Sequence, residues 1–379
     1  MPAGADLLRV HYELALGAGE SARRKAEAIA REQTVEISAG VAAPEVERRT
    51  IGVVVGTEKL AARRARATID YPWRELVSDL PQLLNLLYGN ISLQRGIRIR
   101  AIDWPAGLLA RFPGPRFGVD GLRELIGVSG RPLLATVIKP VGLGVRELAL
   151  LAAECALGGL DLVKDDHSLA DQGSAPFRER VLAVAEHIAR ANRKTGKGCL
   201  YVPNLTGPVD RLGERLEDLR DAGIRAAMVA PMILGLDTVR ALAESAGVAL
   251  VGHPALAGSL VSPRQGLAPE LLFGELFRLA GCDAVIYPNA GGRFPFMLSA
   301  CAAIQRRLAA PLGGWRSSFA MVGGGIDATR IARWLPEYSI DTIFIVGGSL
   351  LARPDLRAAA SELAGLVART GTVARRRQR

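Results

Sequence analysis

The chain is poor in cysteine, in aromatic residues and in long apolar runs, and each shortage closes off a class of protein. Its four cysteines, Cys155, Cys199, Cys282 and Cys301, stand apart in apolar surroundings. That is neither a zinc spacing nor a disulfide framework, and it suits a reducing cytosol. No stretch of about 18 uncharged apolar residues occurs, so no membrane span is expected. The opening Met1-Pro2-Ala3-Gly4-Ala5-Asp6 lacks the basic and apolar blocks of a secretory signal, which again points to a cytoplasmic protein. Aromatic residues make up 5% of the chain and are not interleaved with the basic ones, as they are in proteins that bind single-stranded nucleic acid. The net charge of +10 comes largely from arginine scattered along helical stretches, together with the tail Arg375-Arg376-Arg377-Gln378-Arg379. Such a balance is expected to attract small phosphorylated anions, not nucleic acid.

What is present points to a large α/β protein. The 379 residues are 49% apolar and 23% charged, with 42 glycines and 21 prolines spread along the chain, as a fold with many tight turns requires. Residues 1–115 read as a smaller α+β domain of ferredoxin-like type, with strands expected at 7–16 and 52–56 and helices at 19–31 and 75–87. Phe112-Pro113-Gly114-Pro115 is a linker candidate, because two prolines and a glycine stop regular structure.

Residues 116–379 follow a different beat. Apolar, β-branched runs begin at residues 132, 160, 199, 226, 249, 284, 319 and 342, with helical stretches between them. Eight such units predict a (β/α)8 barrel. A doubly wound sheet shares the alternation, but no Gly-x-Gly-x-x-Gly turn follows the first strand.

Active sites of such barrels lie on loops after the C-terminal ends of the strands. Those ends carry Lys139 after strand one, Lys164, Asp166 and His167 after strand two, and Asn204 with Thr206 after strand three. Strand five ends at His253, strand six leads to Arg293, and strands seven and eight end in Gly324-Gly325 and Gly347-Gly348. Each has an ordinary structural reading by itself, but two lysines, an aspartate, two histidines and an asparagine on one rim are hard to explain as packing. The glycine loops let backbone N–H groups approach an anion, so the substrate is expected to carry a phosphate. Within Lys164-Asp165-Asp166, alternation turns Lys164 and Asp166 to one side. A lysine there is open to two chemistries. Carboxylated by CO2, it could join Asp166 in holding a divalent metal; as a free amine, it could form a Schiff base, as in metal-free aldolases.

These residues resemble the ribulose bisphosphate carboxylase (RuBisCO) superfamily. The matching stretches are Ile138-Lys139-Pro140, Gly158-Gly159-Leu160-Asp161 through Lys164-Asp165-Asp166, His253-Pro254-Ala255, Gly324-Gly325-Ile326 and Val346-Gly347-Gly348. Residues 26–32 and Gly89-Asn90 extend the likeness into the N-terminal domain. The resemblance implies a carbamylated Lys164, Mg2+ held with Asp166, and Lys139 as acid or base beside an enediolate. It implies substrate contact by His253 and phosphate binding by Gly324, Gly325, Gly347 and Gly348. It also implies a homodimer, or an oligomer of dimers, in which Glu32 and Asn90 complete the partner's site.

The departures are specific. His167 stands where the family has a third carboxylate, which tilts the site toward Mn2+, Fe2+ or Zn2+. Val141 replaces a second catalytic lysine, and Pro254 replaces a phosphate-gripping arginine. The segment after strand six is too short for the CO2-handling lid, so Arg293 could serve only as an electrostatic clamp. The chain therefore resembles a RuBisCO-like protein of the form IV type that does not fix CO2. Such relatives enolise or isomerise phosphorylated methylthio-pentuloses in methionine salvage, or decarboxylate phosphorylated keto sugar acids. The changed ligand set argues against the salvage substrate. The expected chemistry is metal-assisted enolate formation and protonation on a singly phosphorylated keto sugar or keto sugar acid. The rivals are a Schiff-base barrel and a catalytically inactive sugar-phosphate-binding protein.

Overall fold

The computed structural model describes residues 6–377; residues 1–5 of the opening and 378–379 of the basic tail lie outside it. Among the described residues the strands are β1 (Leu8–Ala15), β2 (Val53–Ala61), β3 (Arg64–Tyr71), β4 (Ile97–Asp103), β5 (Leu133–Ile138), β6 (Leu162–Asp165), β7 (Leu200–Val202), β8 (Ala226–Val229), β9 (Ala249–Gly252), β10 (Gly266–Leu267), β11 (Ala284–Pro288), β12 (Phe319–Gly323) and β13 (Thr342–Ile345). Two compact units divide them. One comprises the chain up to Phe112 with Leu256–Leu272 and Leu312–Gly314, and the other Pro113–Ala255, Phe273–Pro311 and the chain from Trp315.

The first unit is built on a sheet of order β10-β4-β1-β3-β2. β1 lies antiparallel between β3 and β4, β2 pairs antiparallel with β3, and the short β10 runs parallel to β4. In β1, Leu8, Val10, Tyr12 and Leu14 are buried while the residues between them are half-buried or exposed, as a strand covered on one face requires. Helix Ala22–Glu32 starts at Ser21, whose hydroxyl accepts from Arg24 N–H. The helix expected over 75–87 is two helices, Trp73–Leu76 and Leu80–Tyr88, because Asp79 caps a new start by accepting from Gln82 N–H.

The second unit is a parallel eight-stranded barrel of order β7-β6-β5-β13-β12-β11-β9-β8. Its seam lies between β7 and β8, where Met228 N–H donates to Pro203 O and Leu205 N–H to Met228 O, both at 2.8 Å. The interior is filled by alternate residues from the strands, including Leu133, Leu162, Val202, Met228, Val251, Ile286, Met321 and Ile343. Val119, Leu122 and Ile126 of helix Gly118–Ile126 join that cluster, so the helix plugs the floor of the barrel. Two buried carboxylates stand at the starts of strands. Asp161 takes a bidentate pair from Arg131 at 2.7 and 2.8 Å and Leu134 N–H at 2.8 Å. Asp283 accepts from the N–H groups of Phe117, Gly118 and Leu250. The helical stretch between β10 and β11 is interrupted by a π-turn at Leu272–Leu276. The four cysteines are free and buried. No helix among the described residues is long and apolar enough to cross a membrane.

Candidate active site

The strand β6 sorts its last residues by alternation. Leu162 faces the barrel interior, and so does Lys164, whose Nζ lies 3.5 Å from Met228 Sδ and donates to Asp165 O at 2.8 Å. Asp165 turns to the other side and is fully buried, accepting from Tyr201 Oη (2.8 Å), Asn204 N–H (2.9 Å) and Arg180 Nε (3.2 Å). Of the two adjacent carboxylates, only Asp166 is left with the amine on the mouth side. The ion pair at this strand end thus belongs to Asp165 and Arg180, not to Lys164.

Lys164 is 4% exposed. Burial lowers its pKa to about 8, against the pull of Asp166 and Asp165, and Lys139 pushes the same way as burial. An amine that yields its proton this readily can react as a nucleophile near neutral pH. Lys139 follows β5, the strand beside β6. A methyl group built on Gly347 would come within 3.8 Å of its Nζ, so Lys139 reaches across to the glycine loop after β13.

His167 and His253 stack with ring centroids 4.5 Å apart and planes inclined by 12°. Ala255 N–H donates to His253 Nδ1 at 3.1 Å, which makes Nδ1 the acceptor and leaves the ring proton on Nε2. Burial, helped by Lys164 and His167, pushes the His253 pKa far down, so the ring stays neutral. His167 Nδ1 lies 3.3 Å from Asp166 Oδ1, and Asp166 Oδ1 also accepts from Ser168 N–H at 3.0 Å. A neutral His167 with its proton on Nδ1, directed at Asp166, keeps an Nε2 lone pair.

Asn204, expected on the rim, is buried, and its amide donates to His167 O (2.9 Å) and Leu169 O (3.2 Å). It holds the loop that carries His167. Gly324 and Gly325 adopt φ of +95° and +69°, where a side chain is strained. A methyl group on Gly325 would meet Gly292 Cα at 3.1 Å, and one on Gly292 would meet Gly324 O at 2.9 Å. The loops after β11 and β12 therefore pack backbone to backbone. Arg293 is exposed, with its guanidinium over the Phe294 ring at 4.9 Å. In the first unit, Asn90 Nδ2 donates to Glu32 Oε1 at 3.1 Å and to Glu36 Oε1 at 2.9 Å. Glu36 has a left-handed φ of +58° and carried no signal in the sequence.

A metal would need more donors than standard side chains supply. Among the described residues, no group of three or more His, Cys, Asp and Glu could hold one. Asp166 and His167 furnish one oxygen and one nitrogen side by side, and a carbamate on the neighbouring Lys164 would supply the missing oxygen donor. With that modification the residues fit a divalent ion.

Residues 118–293 match the family described as ribulose bisphosphate carboxylase large chain, catalytic domain. A 5-methylthioribulose-1-phosphate isomerase from Rhodospirillum rubrum is 40% identical over 358 residues, covering 92% of this chain and 93% of that one. The chain belongs to the RuBisCO family. Within it, several of the similar proteins are named RuBisCO-like. A 2,3-diketo-5-methylthiopentyl-1-phosphate enolase from Geobacillus kaustophilus is 34% identical, with 88% of this chain and 85% of that one covered. The crystal structure of a RuBisCO-like protein from Rhodopseudomonas palustris superposes with a TM-score of 0.88 at 36% identity, covering 96% and 98% of the two chains. The two-unit architecture, with a barrel and an N-terminal domain, is that of the RuBisCO fold.

Proposed function

We propose that this RuBisCO-like protein forms and reprotonates an enolate of a singly phosphorylated keto sugar or keto sugar acid, without fixing CO2. The observation that carries the reading is the Lys164 amine, buried and poor at holding a proton, at the end of β6 beside Asp166 and His167. Relatives named for an isomerase and an enolase of phosphorylated methylthio sugars support this reaction class. They also put the salvage substrates first among those to try, despite the changed ligand at His167.

In this reading the Lys164 amine adds to CO2 and releases a proton to solvent, and the resulting carbamate, with Asp166 and His167, would hold Mg2+ or Mn2+. The ion would polarise the substrate carbonyl and so acidify the neighbouring C–H. Lys139 moves that proton at Nζ. His253 donates from Nε2 to a substrate oxygen and does not act as a base, because its ring is held in one tautomer. Gly324, Gly325, Gly347 and Gly348 cradle the phosphate, and Arg293 clamps the anion electrostatically. Glu32 and Asn90 act on the site of a second subunit in a homodimer or an oligomer of dimers.

The test is solvent deuterium exchange into a panel of phosphorylated keto sugars and keto acids, 5-methylthioribulose 1-phosphate among them. It is run with Mg2+ or Mn2+ plus bicarbonate, and again with EDTA. Metal-dependent exchange that vanishes in Lys164→Ala is expected. Exchange that survives EDTA, with a borohydride-trapped adduct on a lysine, would replace this reading with the Schiff-base one. Tight binding of a phosphorylated ligand without any exchange would mark an inactive binding protein.

A further inference from the structure

The Asp165–Arg180 pair is costly to bury and is fully employed. Both side chains have no exposed surface. A buried ion pair is poor evidence for stability, since well-packed apolar residues often replace one without loss. Its use here lies in what it holds. Arg180, on helix Phe177–Thr195, spends Nε on Asp165, Nη1 on Ala175 O at 2.6 Å and Nη2 on Ala170 O at 2.8 Å. Asn204, whose N–H is bonded to Asp165, reaches His167 O and Leu169 O with its amide. Four carbonyls of one loop, at 167, 169, 170 and 175, are thus tied to a single buried carboxylate one residue beyond Lys164. That loop begins with Asp166 and His167.

We infer that Arg180 and Asn204 are positioning residues that hold the Asp166–His167 loop in register with the Lys164 amine. Tethered this way, the donors that follow β6 keep their placement whether or not a ligand is present. The inference rests on the reading of Lys164, Asp166 and His167 given above, and it deepens that reading by assigning the groups that set their geometry. Lysine at 180 would keep the charge on Asp165 but cannot fork to two carbonyls. Alanine at 204 removes the two loop bonds and leaves the backbone N–H to Asp165.

The experiment compares wild type, Arg180→Lys, Asn204→Ala and Arg131→Lys in the full chain. Arg131 grips Asp161 at the opposite end of β6, so its lysine variant reports on loss of a guanidinium fork without loss of the loop bonds. Mn2+ binding in the presence of bicarbonate is followed by EPR, amide hydrogen exchange over residues 166–176 by mass spectrometry, and thermal stability alongside. The expected result is Mn2+ binding at least tenfold weaker in Arg180→Lys and Asn204→Ala, with faster exchange confined to 166–176. Arg131→Lys should lose thermal stability yet bind Mn2+ as wild type does. Wild-type Mn2+ affinity and unchanged exchange in both loop variants would overturn the inference, and if Arg180→Lys does not fold, Asn204→Ala decides it. If wild type shows no bicarbonate-dependent Mn2+ binding, the metal reading fails. Exchange over 166–176 then still decides whether the pair holds the loop.

Discussion

Lys164 is an amine that the fold would be more stable without. It is 4% exposed, and its neighbours within bonding reach are a carbonyl and a thioether. A polar group buried so poorly served costs on the order of 1–3 kcal/mol. Lys164→Met, apolar and of similar length, should therefore raise unfolding stability by about 1–2 kcal/mol while abolishing solvent exchange into substrate; urea denaturation and the exchange assay check the two halves. Gly325→Ala should act in the opposite sense. Its φ of +69° and the 3.1 Å approach to Gly292 Cα leave no room for a methyl group. A loss of about 1–2 kcal/mol is expected, with KM for a phosphorylated substrate raised more than kcat is lowered. At this scale the sequence picks out the candidate site residues because they close strands, but not the residues that hold them. Asp165 could have been sent to the outer face by alternation, whereas Arg180 looks like any helical arginine until the strand and helix are packed together.

Among elements, the barrel strands are legible because each is buried on both faces and so reads as a continuous apolar run. β3 and β4 are harder to resolve, since their outward positions are filled by arginines such as Arg64, Arg66 and Arg98. Helix Gly118–Ile126 is invisible for another reason: its apolar face makes sense only once a barrel floor exists to receive it. That dependence predicts a large cost for Leu122→Ala, about 2–5 kcal/mol by urea denaturation, because Leu122 is fully buried against the barrel interior. The same floor is braced by Asp283. Burial raises its pKa from 3.8 to about 6, outweighing the three N–H groups and Arg116. Proton uptake thus favours the folded chain: the contribution is complete below about pH 4 and is lost as pH rises through about 6. Between pH 4 and 7, wild type should lose up to about 3 kcal/mol of unfolding free energy relative to Asp283→Asn. A difference that stays flat, or one of opposite slope, would contradict this.

For the whole molecule, an excess of positive charge and the proposed sharing of the site between subunits make separate forecasts. A net charge of +10 should draw phosphorylated substrates electrostatically. Raising ionic strength from about 0.02 to 0.2 M should then lower kcat/KM several-fold with kcat little changed. If Glu32 and Asn90 serve a second subunit, Glu32→Gln and Lys164→Ala are each inactive alone but regain activity when co-expressed, because a mixed dimer contains one intact site. No recovery in a confirmed mixed dimer would place Glu32 elsewhere. The plugged floor has a consequence of its own. With helix Gly118–Ile126 packed into one end of the barrel and side chains filling the interior, Lys164 is approached from the mouth. Traffic through it is last in, first out: whatever attaches to the amine must enter before the substrate, and a seated substrate stoppers it until product leaves. Bicarbonate added before substrate and bicarbonate added after should therefore give different initial rates from identical mixtures.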